Sequence, residues 1–132
     1  MLITYLSVMM GGAAGVGARM ALSEWITRVH GGPFPAGTFA VNVAGCFLIG
    51  LFTGLTGPGG LIEAPPLVRQ VVMAGFLGGF TTYSSFSIQT LDLFASGHTA
   101  HAAANIVLTL LLCLASTAAG LALARLALPA PL

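Results

Sequence analysis

Apolar residues run through this chain in four long stretches, divided by short clusters of glycine and proline. A helix needs about 20 mostly apolar residues to cross a bilayer, and each stretch reaches that length. The first is predicted over about 2–29. Its apolar part ends at Arg19, Glu24 and Arg28 lie beyond, and Gly31, Gly32, Pro33 and Pro35 break it. The second covers about 36–57 and holds one strongly polar residue, Asn42. A loop, GPGGLIEAPP, separates it from the third, about 67–96. A turn around Gly97 leads to the fourth, about 101–128, and the tail PAPL carries no helical signal.

The third stretch departs from the pattern. In GFLGGFTTYSSFS, Gly75 to Ser87, three glycines (Gly75, Gly78, Gly79) lead into a run holding six hydroxyls: Thr81, Thr82, Tyr83, Ser84, Ser85 and Ser87. Lipid offers such groups no partner. Glycine and short hydroxyl residues also weaken a helix. A membrane helix broken near its middle is expected here, and broken backbone at that depth survives only where it is buried in protein or lines a cavity.

Composition sharpens the class. Of 132 residues, 57% are hydrophobic and 5% charged, against roughly 25% charged in soluble domains. The expectation is an all-α integral membrane protein with four transmembrane helices in one domain over 1–132. The near-neutral charge argues against nucleic acid. MLITYLSVMM lacks the basic start of a signal peptide and reads as part of the first helix. Small-xxx-small spacings at Gly11/Gly15, Gly50/Gly54, Gly75/Gly79 and Ser116/Gly120 fit a tight bundle. Arg69 and Arg125 fall on one side of such a bundle and Arg19 and Arg28 on the other. The positive-inside rule then selects neither orientation, and insertion both ways up is permitted.

Polar residues inside the spans are the candidate chemistry. Asn42 offers donors without charge, with Thr38 one turn before it on the same face. It also suits plain interhelical bonding. Asn105, Thr109, Cys113 and Ser116 form one stripe of the fourth helix, suited either to a small solute or to packing. Tyr83 and Phe86 share a face, and aromatic ring edges are electropositive. Ring edges, hydroxyls and amides without a fixed acid describe an environment for an anion. Arg19 either snorkels to the interface or draws anions into a vestibule. His98 and His101, three apart at a span end, are not read as a metal site.

Three motifs together resemble the CrcB/Fluc family of fluoride channels over essentially the whole length: GGAAGVGAR (Gly11 to Arg19), GTFAVNVAGCFLIG (Gly37 to Gly50) and GFLGGFTTYSSFS. The resemblance implies an antiparallel, dual-topology homodimer in the cell inner membrane, exporting fluoride passively through two pathways. It implies a fluoride pathway of Asn42, Tyr83, Phe86, Thr38, Asn105, Thr109 and Cys113, with Thr82 and Ser84 of the hydroxyl run beside it and Arg19 at the vestibule. It implies a sodium ion at the dimer centre, held by the backbone carbonyls of Gly78 and Thr81, and no organic cofactor. Tyr83 stands where the family usually has phenylalanine, and Cys113 where serine is common.

Two other readings compete. A small dual-topology multidrug exporter has the same size, but depends on a membrane-embedded glutamate in its first span, and Glu24 lies towards the span end. A non-conducting membrane subunit explains the glycines and leaves the hydroxyl run without a purpose. An enzyme is expected least, because no nucleophile–base arrangement or phosphate-binding loop is visible.

Overall fold

The computed structural model describes residues 1–127. The end of the fourth predicted stretch, at Leu128, and the PAPL tail lie outside the described residues. Helix α1 (Leu2–His30) ends where Gly31 turns left-handed at φ 64° and donates its N–H to the Thr27 carbonyl. Pro35 then precedes α2 (Ala36–Thr56). The third stretch is helical in four pieces. α3 (Pro66–Gln70) starts on a proline, which loses nothing at a first-turn position. It passes into a wider π-helical stretch (Val71–Leu77) and then α4 (Gly78–Phe80). Thr81 and Thr82 are extended, and α5 (Tyr83–Ala95) follows. Gly97, at φ 81°, turns the chain into α6 (Thr99–Leu126).

Among the described residues, three elements are long and apolar enough to cross a membrane: Ala36–Thr56, Pro66–Ala95 and Thr99–Leu126. Helix α1 has 29 residues but does not join them. Its glycines, together with Arg19, Glu24 and Arg28, dilute its hydropathy. Among the described residues the regular structure is all helical, in a multi-pass arrangement.

The inside and outside of this bundle are inverted relative to a water-soluble protein. Leu2, Met9, Leu111, Leu114 and many other large apolar side chains lie exposed, whereas Thr38, Asn42, Thr82, Thr90, Asn105 and Thr109 are buried beside Val41, Phe80 and Phe86. Glycine holds the bundle together. A methyl group on Gly50 would collide with the Thr117 carbonyl, and one on Gly120 with the Phe47 carbonyl. These contacts draw α2 against α6. On the opposite side, a methyl on Gly15 would strike the Phe76 carbonyl, one on Gly75 would sit 2.7 Å from the Val8 carbonyl, and one on Gly79 would crowd Gly12. These contacts draw α1 against the π-helical stretch and α4. Close backbone approach replaces the hydrophobic effect, which lipid removes as a driving force between helices.

Gly50→Ala is therefore expected to cost about 1–3 kcal/mol, the range for overpacking a close contact. Gly17, whose added methyl meets nothing within 4 Å, is the control: Gly17→Ala leaves stability unchanged or slightly raised. Thermal denaturation of both variants in detergent checks the pair, and an equal loss in the two would contradict the packing.

Candidate functional site

The interruption between α4 and α5 lasts two residues. Thr81 keeps its helical bond, donating its N–H to the Leu77 carbonyl at 3.0 Å. Thr82 does not. In an unbroken helix its N–H would reach the Gly78 carbonyl. It donates instead to Asn42 Oδ1 at 2.7 Å, and Asn42 Nδ2 donates to the Thr82 carbonyl at 3.0 Å. One amide side chain thus meets both polar groups of one peptide residue, as a neighbouring strand would. Asn42 is 6% exposed, so this pairing takes place away from solvent. The Gly78 carbonyl is left without its regular partner.

Thr82 also starts α5. Its Oγ1 accepts the Ser85 N–H at 3.2 Å, a helix N-cap. It also donates to Ser85 Oγ at 3.0 Å and lies 3.3 Å from Ser84 Oγ. The run from Tyr83 to Ser87 is thus the start of a helix, and the Ser84, Ser85 and Ser87 hydroxyls find partners within it or at its cap. Ser84 itself is exposed and lines none of the three cavities described below.

Two cavities flank the Asn42–Thr82 pair, and Thr82 borders both. The larger, about 370 Å³, is lined by Asn42, Gly45, Cys46, Gly78, Thr81, Tyr83, Thr109 and Cys113, with apolar walls from Ile49, Leu77 and Leu110. The smaller, about 260 Å³, is lined by Arg19, Ser23, Glu24, Thr38, Ser85 and Gln89. Arg19 turns inward, and its Nη1 donates to the Thr81 carbonyl at 3.4 Å. Glu24 points to Arg28, 3.3 Å away. The guanidinium of Arg19 is thus the cation beside the break.

Phe86 is buried, while Tyr83 is 73% exposed; their ring centroids lie 5.3 Å apart at 47°. Both line a third, mostly apolar groove that continues along Thr90 and Leu110. Asn105, 1% exposed, donates to Thr90 Oγ1 at 2.8 Å and accepts from Thr109 Oγ1 at 3.4 Å. It ties α6 to α5 and lines none of the cavities described. The fourth-helix stripe therefore divides, with Thr109 and Cys113 facing the large cleft and Asn105 locked behind it.

The structure adds residues that the sequence pattern alone does not single out. Gln89 borders the Arg19 cavity, and its Oε1 is buried without a hydrogen-bond partner. An unpartnered buried amide oxygen is costly. The available signal is its spacing: Thr82, Ser85 and Gln89 fall at i, i+3 and i+7, one face of α5. Thr90, the partner of Asn105, is a second such residue.

The backbone carbonyls of Gly78 and Thr81 fit a cation only in part. Gly78 faces the large cleft with its helical partner withdrawn. Thr81 has one of two carbonyl lone pairs engaged by Arg19. Two oxygens from one chain do not make a coordination shell for a hard cation, which takes six or more. Asn42→Ala strips both partners from the Thr82 peptide and is expected to cost about 1–3 kcal/mol. Ser84→Ala is expected to stay within about 0.5 kcal/mol. Denaturant titration in detergent separates the two, and an Asn42→Ala protein as stable as the parent would contradict the clasp.

The chain matches a family model over residues 6–121, that of the "CrcB-like protein, Camphor Resistance (CrcB)". Among curated relatives, a protein of Opitutus terrae named fluoride-specific ion channel FluC is 48% identical over 110 residues, covering 83% of each chain. A Rhodospirillum rubrum protein of the same name is 47% identical over 112 residues, covering 85% of this chain and 87% of its own. One from Anaeromyxobacter dehalogenans is 46% identical over 121 residues, covering 91% and 94%. With a family model across most of its length and relatives this similar, the chain belongs to the CrcB family.

Proposed function

We propose that the protein is a fluoride-selective channel in the cell inner membrane, lowering cytoplasmic fluoride by passive export. The observation that carries the reading is the pair of cavities on either side of the Asn42–Thr82 clasp. Their polar groups are neutral apart from Arg19 and Glu24, and Glu24 is turned to Arg28. Relatives named as fluoride-specific channels align along most of the chain. Fluoride is small and holds water tightly. A narrow path lined by amide, hydroxyl and ring-edge donors can replace that water, and neutral donors release the ion again. The second proton of Asn42 Nδ2 remains free for this purpose. Arg19 raises the local anion concentration at one mouth. No bond is made or broken in such a passage, so the protein is not an enzyme.

In this reading α1 is the fourth span of a single channel domain over 1–132. Two copies associate in opposite orientations to form two pathways. Thr38, Thr82, Ser84, Tyr83, Phe86, Asn105, Thr109 and Cys113 accompany Asn42 along each of them, with Asn105 and Ser84 holding neighbours in place. The broken helices of the two copies face each other, and the Gly78 and Thr81 carbonyls of both together would hold a sodium ion. That ion supplies a fixed positive charge at the centre of the pair. The exposed apolar faces of Tyr83, Leu91 and Leu110 suit a second copy and the lipid around it.

Fluoride efflux from liposomes holding the purified protein, read with a fluoride electrode and repeated with chloride, tests the reading. Fast fluoride release without chloride release is expected. Folded protein that releases neither ion would sink it. Asn42→Ala is expected to slow fluoride release about tenfold or more, the cost of one lost hydrogen bond to a charged group, and Phe86→Ala, which removes a ring edge, is expected to slow it as well. Normal conduction in both would remove the pathway from these residues.

A further inference from the structure

The packing of α2 on α6 has a definite register. An added methyl on Gly50 meets Thr117 and Leu121, and one on Gly54 meets Leu121 and Ala124. Advancing along one helix advances along the other, so the two run parallel. Cys46 lies one turn before Gly50, and Cys113 one turn before Thr117. The same register therefore sets the two cysteines side by side, and sets Asn42 beside Thr109 one turn further on. Both cysteines are half-buried, free of disulfides and part of the large cleft wall. Two thiols so placed are a ligand pair, not two isolated cysteines.

The chemistry of the pair selects its ligand. Among the described residues no group of three or more His, Cys, Asp or Glu side chains comes together, so an ion that needs four protein ligands finds no set. Hard cations reject thiols, and soft ones select them. Charge decides between the soft ions. A divalent ion taken up by two thiols forms two metal–sulfur bonds and releases two protons to the water of the cleft, and the resulting bis-thiolate is neutral. A monovalent ion in the same place would leave a net negative charge in an apolar wall, at a cost. We propose that Cys46 and Cys113 form a binding site for a soft, two-coordinate divalent cation of the mercuric type, and that its occupation closes the cleft between Asn42 and Thr109. The closing rests on the reading of that cleft as an anion path. The metal site does not.

Mercuric chloride at one equivalent per chain is the probe, added to the full-length protein in detergent. After denaturation the remaining thiols are labelled with a maleimide and counted by mass spectrometry. One equivalent is expected to protect both cysteines. In Cys46→Ser and Cys113→Ser the lone thiol is expected to give up mercury to at least tenfold less competing monothiol than the parent requires. If one equivalent leaves half the thiols reactive, or if a single-cysteine variant holds mercury as the parent does, the site is overturned. Fluoride efflux from metal-loaded liposomes is expected to fall at least tenfold and to return with a dithiol chelator. Each variant, loaded with metal and rinsed with the lower monothiol concentration that leaves the parent's metal in place, should be spared when measured against its own metal-free rate. Protected thiols with unchanged efflux overturn the closing and leave the metal site standing. An absence of efflux from metal-free protein overturns the channel reading and the closing with it, and the thiol count still decides the metal site.

Discussion

A helix interrupted away from water must find partners for the peptide groups it releases. Here one side chain supplies them. The Asn42 amide pairs with both the N–H and the carbonyl of Thr82, and most of the site depends on that exchange. It lets Thr82 leave the helix without a buried unsatisfied group and frees the Gly78 carbonyl. It also sets Thr82 as the cap on which α5 is rebuilt. Without the amide, the two-residue break would have to close into helix or admit water.

The clasp works only because α2 is held at the right depth. Helix α2 is fixed by its backbone contacts to α6, and α1 by its contacts to the π-helical stretch and α4. The contacts are glycine against carbonyl on both sides, so the spacing is set by backbone and tolerates little side-chain volume. The π-helical turn widens the third stretch where it meets α1. Such turns are often found at functional sites, and this one ends directly before the residues that bring the chain to the break.

Much of this is legible in the sequence, but not always for the right reason. The apolar stretches locate the helices to within a few residues, because lipid imposes length directly. The break is expected within GFLGGFTTYSSFS, and it lies there. The glycines, however, do not unwind the chain. Gly75, Gly78 and Gly79 are helical, and Gly75 and Gly79 serve the contact with α1. Most of the hydroxyls are helical too, since Thr82 caps them. Propensity argues for weakness, and tertiary packing uses the same residues for closeness. In sequence Asn42 suits either interhelical bonding or a cleft, and it serves both. Sequence leaves Arg19 between interface and vestibule, and the structure turns it inward. The Cys46–Cys113 neighbourhood and the position of Gln89 depend on helix register, which no single stretch of sequence encodes. The low hydropathy of α1 marks the other limit, since its glycines serve packing against the third stretch and lower the hydropathy of the helix.

The order of the clasp along the chain has a consequence for biosynthesis. Its two halves lie 40 residues apart, and the side-chain half comes first. By the time a ribosome delivers Thr82 to the membrane, α2 with Asn42 has already emerged. The interrupted helix is made after the group that makes its interruption tolerable. The reverse order would expose two naked peptide groups to lipid until the rescuer arrived. Vectorial synthesis and the finished architecture thus favour the same sequence of events.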